Sequence, residues 1–348
     1  MHANPLVTIC VPTFNGARYL DECLASVFRQ TYAHFEVLLV DDCSTDETLQ
    51  IARRYAIRDP RLRIVSNQWN LGLVGNWNRC VELAGGEWIK FVFQDDLIAP
   101  RCVERMLDAA QPDASLIFCR REFIFEEGTA QSKRNSYLEG RSVAERLFPE
   151  SAFVTARQFS EIAVEYMDRN FIGEPTVVML HRRVFDAFGG FNPHLIVSCD
   201  TEFWLRVGIH TGAIHVAENL ASFRVHGDSV SARSVLQRDY RVSVLDGLAT
   251  LHEAAFNPRY APLRAVAKAL SVDLTRRFRS KALWAYGLAS RAARDTKNPD
   301  PSLLEQWQEV AVHFRGLRSV PLRYRIIRQW RMVLERCRAL AGLNEPGN

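Results

Sequence analysis

Two pairs of adjacent carboxylates stand at the ends of apolar runs, Asp41-Asp42 directly after one and Asp95-Asp96 one residue beyond another. Carboxylates so placed can share a divalent cation with phosphate oxygens, and Mg2+ or Mn2+ suits such an oxygen-rich site. No Gly-x-Gly-x-x-Gly follows the first apolar run and no Walker lysine occurs, so the usual dinucleotide and triphosphate cradles are missing. The pattern reads as a metal and diphosphate site. A third acidic group lies in Ser198-Cys199-Asp200-Thr201-Glu202, ahead of a helix-period run. A carboxylate there is either a helix cap or a base positioned by the helix terminus. Farther on, Phe223-Arg224-Val225-His226-Gly227-Asp228-Ser229 offers an imidazole able to bind Mn2+ and a guanidinium able to bind phosphate. Hydrogen bonding alone is the other reading of His226.

These groups need elements to bring them together. Apolar runs at 6–11, 35–40, 62–65, 88–93 and 115–119 alternate with helix-period segments, the pattern of a mostly parallel α/β sheet flanked by helices. Leu20, Cys23, Leu24, Val27 and Phe28 share one helix face, and a second helix is expected to open with a capping box over Ser44-Thr45-Asp46-Glu47. A third follows Gly72, with Val74, Trp77, Val81 and Ala84 on one side. Strand carboxyl ends then line one edge, where open α/β sheets bind ligands. Pro12-Thr13-Phe14-Asn15-Gly16, the Asp41 and Asp42 loop, and Gln94-Asp95-Asp96 all fall there.

The chain has 348 residues, 47% apolar and 24% charged, enough for one large or two moderate domains. Its eight cysteines have no paired close spacing, which argues against a zinc knuckle or a disulfide framework. No apolar window is long enough to span a bilayer and the start lacks a leader pattern, so the reading is cytoplasmic. Charge is uneven: residues 240–348 hold 19 Lys and Arg against 9 Asp and Glu, while the rest is net acidic. An acidic body argues against nucleic acid as the main ligand.

The runs Val7-Thr8-Ile9-Cys10-Val11-Pro12-Thr13-Phe14-Asn15, Leu39-Val40-Asp41-Asp42-Cys43-Ser44-Thr45-Asp46 and Phe93-Gln94-Asp95-Asp96 resemble family 2 glycosyltransferases with the GT-A fold. The likeness covers about residues 5–230, and the Gln-Asp-Asp variant with Arg224-Val225-His226 resembles the bacterial surface-polysaccharide branch. It implies a GT-A, Rossmann-like catalytic domain over 1–239, with a nucleotide-binding half (1–125) and an acceptor half (126–239). A basic helical region follows over 240–348. The resemblance further implies an inverting enzyme that moves a sugar from a UDP- or dTDP-linked donor to a saccharide or lipid-linked saccharide, aided by Mn2+ or Mg2+. A nucleotide-sugar-binding protein without activity and a sugar nucleotidyltransferase are the alternatives.

Carried over by position, Pro12, Thr13, Phe14 and Asn15 line the nucleobase pocket and Asp42 accepts the imide N–H of uracil or thymine. Gly72 and Asn78 keep the spacing of an element packed near the diphosphate, with Trp77 where relatives place a basic residue. Phe93 replaces the first Asp of the family's Asp-x-Asp, leaving Asp95 on ribose or metal and Asp96 as the direct metal ligand. His226 is a further metal candidate and Arg224 a phosphate contact. Cys199 replaces a family Glu, so Asp200 is the expected base, with Glu202 its competitor. Glu174, in Phe171-Ile172-Gly173-Glu174-Pro175-Thr176, is either an acceptor contact or part of a turn. Residues 126–170 have a polar opening over 126–141 and a helix near 143–148. In the last helix Ile326, Trp330, Val333, Cys337 and Leu340 form an apolar stripe among arginines, which reads either as peripheral membrane contact or as packing on the catalytic domain or a second subunit.

Overall fold

The computed structural model describes residues 4–112, 114–227 and 240–340; side chains at 142, 331, 332 and 334–340 are outside the description. The chain divides into two compact units, bounded as Met1–Leu236 with Pro258–Val272 and as Gln237–Asn257 with Asp273–Asn348. The first unit thus takes back a segment, a helix at Ala261–Ala269 included, that sequence alone assigns to the helical tail.

Strand β1 (Val7–Thr13) is buried at every position, as a strand covered on both faces must be. It pairs in parallel with β2 (Phe35–Asp41) and β4 (Trp88–Phe91), and β3 (Leu62–Ser66) extends the block beyond β2. The sheet then becomes mixed: β8 (Val178–His181) runs antiparallel to β4 and to β6 (Leu116–Phe125), and β6 pairs in parallel with β9 (Ala213–Val225). Short strands β5 (Leu97–Ile98) and β7 (Ala152–Val154) both pair antiparallel with β9. The order β3-β2-β1-β4 reverses direction about β1, which opens a crevice beyond the carboxyl ends of β1, β2 and β4.

Helices α1 (Leu20–Phe28), α2 (Thr48–Arg58) and α3 (Gly72–Leu83) connect the parallel strands. The expected capping box of α2 does not form. Ser44 turns back to Asp41, and Asp46 accepts from the N–H and hydroxyl of Thr48, so the helix starts later, at Thr48. A complete capping box occurs instead at Thr155 and Gln158, opening α6 (Ala156–Tyr166). The polar stretch around 126–141 is mostly helix: α5 spans Gln131–Leu147. Trp77 packs as an apolar residue, its ring 4.8 Å from Phe93 and 5.3 Å from Phe191. After α7 (Arg183–Phe188), α8 (Cys199–Thr211) carries the third acidic group.

The second unit is helical. Gly247–Phe256, Leu274–Ala292, Ser302–His313 and Val320–Leu340 pack on Leu248, Phe278, Trp307 and Leu317, and Arg241 pairs with the buried Asp246. Pro262 sits in the first turn of its helix, where the missing N–H costs nothing, and so does not break it.

Close approach at Gly86 sets the β1–β4 register. Its N–H donates to Thr8 Oγ1 at 2.8 Å, and a Cβ there would lie 2.5 Å from the Thr8 backbone nitrogen. Gly86→Ala is expected to lower unfolding free energy in denaturant by about 1–3 kcal/mol; an unchanged midpoint would show that the edge relaxes freely.

Candidate functional site

The loops after β1 and β2 are tied to one another by side chains. Thr13 donates to Asp41 Oδ1 at 3.1 Å, and Ser44 donates to Asp41 through both its N–H and its hydroxyl. Asn15, at φ 47°, donates its N–H to Ser44 and accepts from the Thr45 N–H at 2.8 Å. Asp41 is therefore spent on shaping the loop. Phe14 is 47% exposed, and Gln94 holds its backbone at both ends, accepting from Phe14 N–H at 2.9 Å and donating to its carbonyl at 3.1 Å. A short polar clamp thus presents an aromatic ring at the crevice while Pro12 and Thr13 stay buried.

Asp42 is buried and accepts three bonds: from Asn67 Nδ2 and the Leu71 N–H, each at 2.8 Å, and from the Gly72 N–H at 2.9 Å. Gly72, at φ 73°, opens α3 in a conformation that favours glycine. A carboxylate has about four acceptor sites, so one remains for a ligand. Asn78 spends both ends of its amide on the backbone of Phe191, at 2.8 and 2.9 Å, and so anchors the loop before α8.

After β4 the two acidic residues differ sharply. Asp96 is fully buried; Thr176 Oγ1 donates to it at 2.6 Å and the Arg224 N–H at 3.0 Å. Burial pushes its carboxyl well above the usual range, and the charge of Asp95 adds to this. Asp95 keeps 21% of its side chain exposed, and its Oδ2 lies 2.8 Å from His226 Nε2. The carboxylate with an open edge is therefore Asp95, with Asp96 enclosed behind it. Arg224 donates to the Asp95 carbonyl at 2.9 Å and to Glu22 at 2.7 Å, with its guanidinium 4.5 Å from the Tyr19 ring centre. Its side chain thus braces the Asp95 turn. The stretch beyond Gly227, Asp228 included, lies outside the described residues.

The donor set at Asp95 and His226 suits Mg2+ or Mn2+ only in part. A carboxylate and an imidazole are competent ligands. Among the described residues, however, no group of three His, Cys, Asp or Glu is placed to hold an ion. Two protein donors fit a cation whose remaining positions are filled by diphosphate and water.

Asp200 sits at the second position of α8 and is 7% exposed. Burial raises its pKa to about 7, against opposing bonds from the Thr201 N–H and hydroxyl; the charge of Glu174 adds to the rise. Asn170 Nδ2 reaches its other oxygen at 3.4 Å. Glu174 pairs with Arg121 at 2.6 Å, and its charge raises Asp96 as it does Asp200. The turn set by Gly173 and Pro175 is real as well, since Pro175–Val177 forms one turn of 3-10 helix. Glu202, by contrast, is buried. It accepts from Nε and Nη2 of Arg206, each at 2.9 Å, and from the Tyr260 hydroxyl at 2.6 Å, so both its oxygens carry internal partners.

Several positioning residues escape sequence reasoning. Lys90, fully buried in β4, donates to the carbonyls of Thr176 and Val178 and so holds the turn that carries Thr176 to Asp96. A lysine inside an apolar strand was the only available signal. Arg121, Asn170 and Asn76, whose amide joins Asn67 to the Val40 carbonyl, have no motif at all.

Residues 8–189 match the model of glycosyl transferase family 2, and the chain belongs to that family. It is 29% identical over 246 residues to an uncharacterized protein, MT1568, of Mycobacterium tuberculosis (strain CDC 1551 / Oshkosh), covering 70% of this chain and 74% of that one. It is 36% identical over 123 residues to the putative glycosyltransferase EpsH of Bacillus subtilis (strain 168), covering 35% of this chain and 36% of that one. With chondroitin synthase of Escherichia coli it shares 38% over 112 residues, 32% of this chain and 16% of that one. The chain thus spans about a third of EpsH and a sixth of chondroitin synthase. Among solved structures, a mannosyltransferase from Pyrobaculum calidifontis in complex with GDP-Man and Mn2+ superposes with a TM-score of 0.55 at 19% identity, covering 92% of this chain and 84% of that one. TarS 1-349 of S. aureus in complex with UDP-GlcNAc gives 0.54 at 19% identity, covering 80% of each. The fold is GT-A.

The burial of these acids has measurable consequences. Glu202→Ala leaves Arg206 buried without its partner and should cost about 3–5 kcal/mol in denaturant unfolding; a loss below about 1 kcal/mol would contradict the pairing. For Asp200 the native pKa of about 7 lies above the unfolded value of 3.8. Its contribution to stability is whole below the unfolded pKa and is lost as pH rises through about 7. Asp200→Asn should therefore gain thermal stability relative to the parent as pH rises from about 5 to 8. A pH-independent difference in melting temperature would refute the shift.

Proposed function

We propose that this transferase moves a sugar, with inversion, from a UDP- or dTDP-linked donor to a hydroxyl of a saccharide or lipid-linked saccharide acceptor in surface polysaccharide biosynthesis. The observation that carries the reading is the Asp200 carboxyl, buried at a helix start with a pKa of about 7, and joined through Asn170 to the Gly173 turn that leads on to Thr176 and Asp96. A carboxylate half ionised near neutrality is suited to accept a proton from an acceptor hydroxyl. That proton moves to Asp200 as the hydroxyl oxygen bonds to the anomeric carbon, while the nucleoside diphosphate departs from the opposite face. No covalent sugar-protein bond is needed.

On the leaving-group side, Asp95 and His226 are the residues that would hold Mn2+ or Mg2+. When bound, such an ion neutralises charge on the departing diphosphate. Asp96 supports this corner from within, since its oxygens already accept internal bonds. Phe14 offers a ring face to the base, and the remaining acceptor site of Asp42 selects rings with an imide N–H, which cytosine lacks. Glu174, held by Arg121, is placed for acceptor hydroxyls. The name of chondroitin synthase supports a polysaccharide product, and the neighbours solved with UDP-GlcNAc or with GDP-Man and Mn2+ support a nucleotide-sugar donor and a divalent ion.

Asp200→Asn is expected to cut transfer by about 10²–10⁴ while leaving nucleotide affinity nearly unchanged; near-parental transfer would assign Asp200 a capping role only. In calorimetric titration with UDP, the parent should bind far more tightly with Mn2+ than with chelator. Asp95→Asn and His226→Ala should each lose most of that difference. Equal UDP affinity with and without the ion in the parent would refute the placement, as would a full metal response in both variants.

A further inference from the structure

The helical unit carries a second surface, unrelated in chemistry to the sugar site and independent of the transferase reading. Between Glu309 and Glu335 the chain has six arginines, Arg315, Arg318, Arg323, Arg325, Arg328 and Arg331, and no carboxylate. Within this stretch the helix Val320–Leu340 leaves Leu322, Ile326, Trp330 and Val333 exposed, at 58%, 45%, 65% and 50%. Their spacing of four, four and three residues places them on one face. Arg323 and Arg325 lie on either side of that face, and both are exposed. The same helix borders a groove of about 460 Å³ walled by Phe256, Phe278, Leu283 and Ile327, with Arg279 and Arg323 completing it.

We infer that this face docks on an anionic phospholipid surface, apolar side chains entering the interface and arginines meeting lipid phosphates. An exposed apolar stripe bordered by arginines with a tryptophan on it is the pattern of a helix that lies in a membrane interface. Charge selects the partner. A second copy paired through the same face would set arginines against arginines with no carboxylate in the stretch to relieve them. An anionic leaflet attracts the two arginines that border the face, Arg323 and Arg325. No helix among the described residues is long and apolar enough to cross a membrane, so the contact is peripheral. The stripe's continuation at Cys337 and Leu340 lies outside the side chains described.

The test is flotation of the full chain with vesicles of phosphatidylcholine alone and of phosphatidylcholine with about one third phosphatidylglycerol. Binding should favour the anionic vesicles at least about tenfold and fall away near 0.5 M salt, roughly where the Debye length drops below 5 Å. Ile326→Ser with Trp330→Ser, and separately Arg323→Glu with Arg325→Glu and Arg328→Glu, should each reduce binding about tenfold. All five side chains are exposed, so folding should persist, and unchanged UDP affinity in each variant checks it. Equal binding to both vesicles, no binding to either, or undiminished binding by both variants would overturn the inference. So would a lipid-free dimer in sedimentation that the Ile326 and Trp330 pair of substitutions abolishes, because the face would then belong to a second copy.

Discussion

Burying a carboxylate without a partner costs several kcal/mol, and the carboxyl edge of this sheet buries five of them. Asp41, Asp42, Asp96, Glu202 and Asp200 are all nearly removed from solvent. The edge holds together because four of these acids are supplied with donors. Asp41 is met by Thr13 and Ser44, Asp42 by Asn67 and two backbone N–H groups, Asp96 by Thr176 and the Arg224 N–H, and Glu202 by Arg206 and Tyr260. Some of these donors are local, as Ser44 and Arg206 are, but Thr13, Asn67, Thr176 and Tyr260 each reach across the chain to their acid. The crevice is therefore shaped largely by the requirement to satisfy its acids.

Asp200 is the exception. Its donors are local, from Thr201, with a longer reach from Asn170, and burial prevails, so its carboxyl sits at about 7. Glu202, on the same helix, differs in having an Arg206 nitrogen on each of its oxygens. The arrangement around Asp95 is a hierarchy. Lys90 holds the turn at Thr176, Thr176 holds Asp96, and Arg224 and Asp96 together fix the turn that presents Asp95 to His226.

Much of this architecture is legible in the amino-acid sequence. Strands β1 and β2 follow from their apolar runs within two residues at either end, because a doubly covered strand admits few polar residues, and the apolar face of α1 follows from helical periodicity. The motifs locate the crevice for the same reason: they lie where strands end. Where the sequence reading and the structure part is the second acidic pair: Asp96 was expected to be the direct metal ligand, yet it is the enclosed member. Asp95 and Asp96 are chemically identical, and which one faces inward depends on a hydroxyl 80 residues away, at Thr176. Likewise the partners of Glu202 are Arg206, four residues on, and Tyr260, which returns from a segment that composition assigns to the tail. The absent capping box of α2 has a similar origin, since Ser44 is better used by Asp41. The region after β6 was opaque because its helix is polar, leaving no apolar stripe for periodicity to detect.

If the incompletely satisfied, buried Asp200 is the base proposed above, its ionisation limits sugar transfer, and the pH dependence of single-turnover transfer at saturating donor and acceptor measures it directly. The rate should rise as pH increases and level off above a midpoint near 7, because only the ionised carboxylate accepts the acceptor's proton. A rate independent of pH between about 5 and 9, or a rise with its midpoint near the ordinary carboxylate value of about 4, would contradict it.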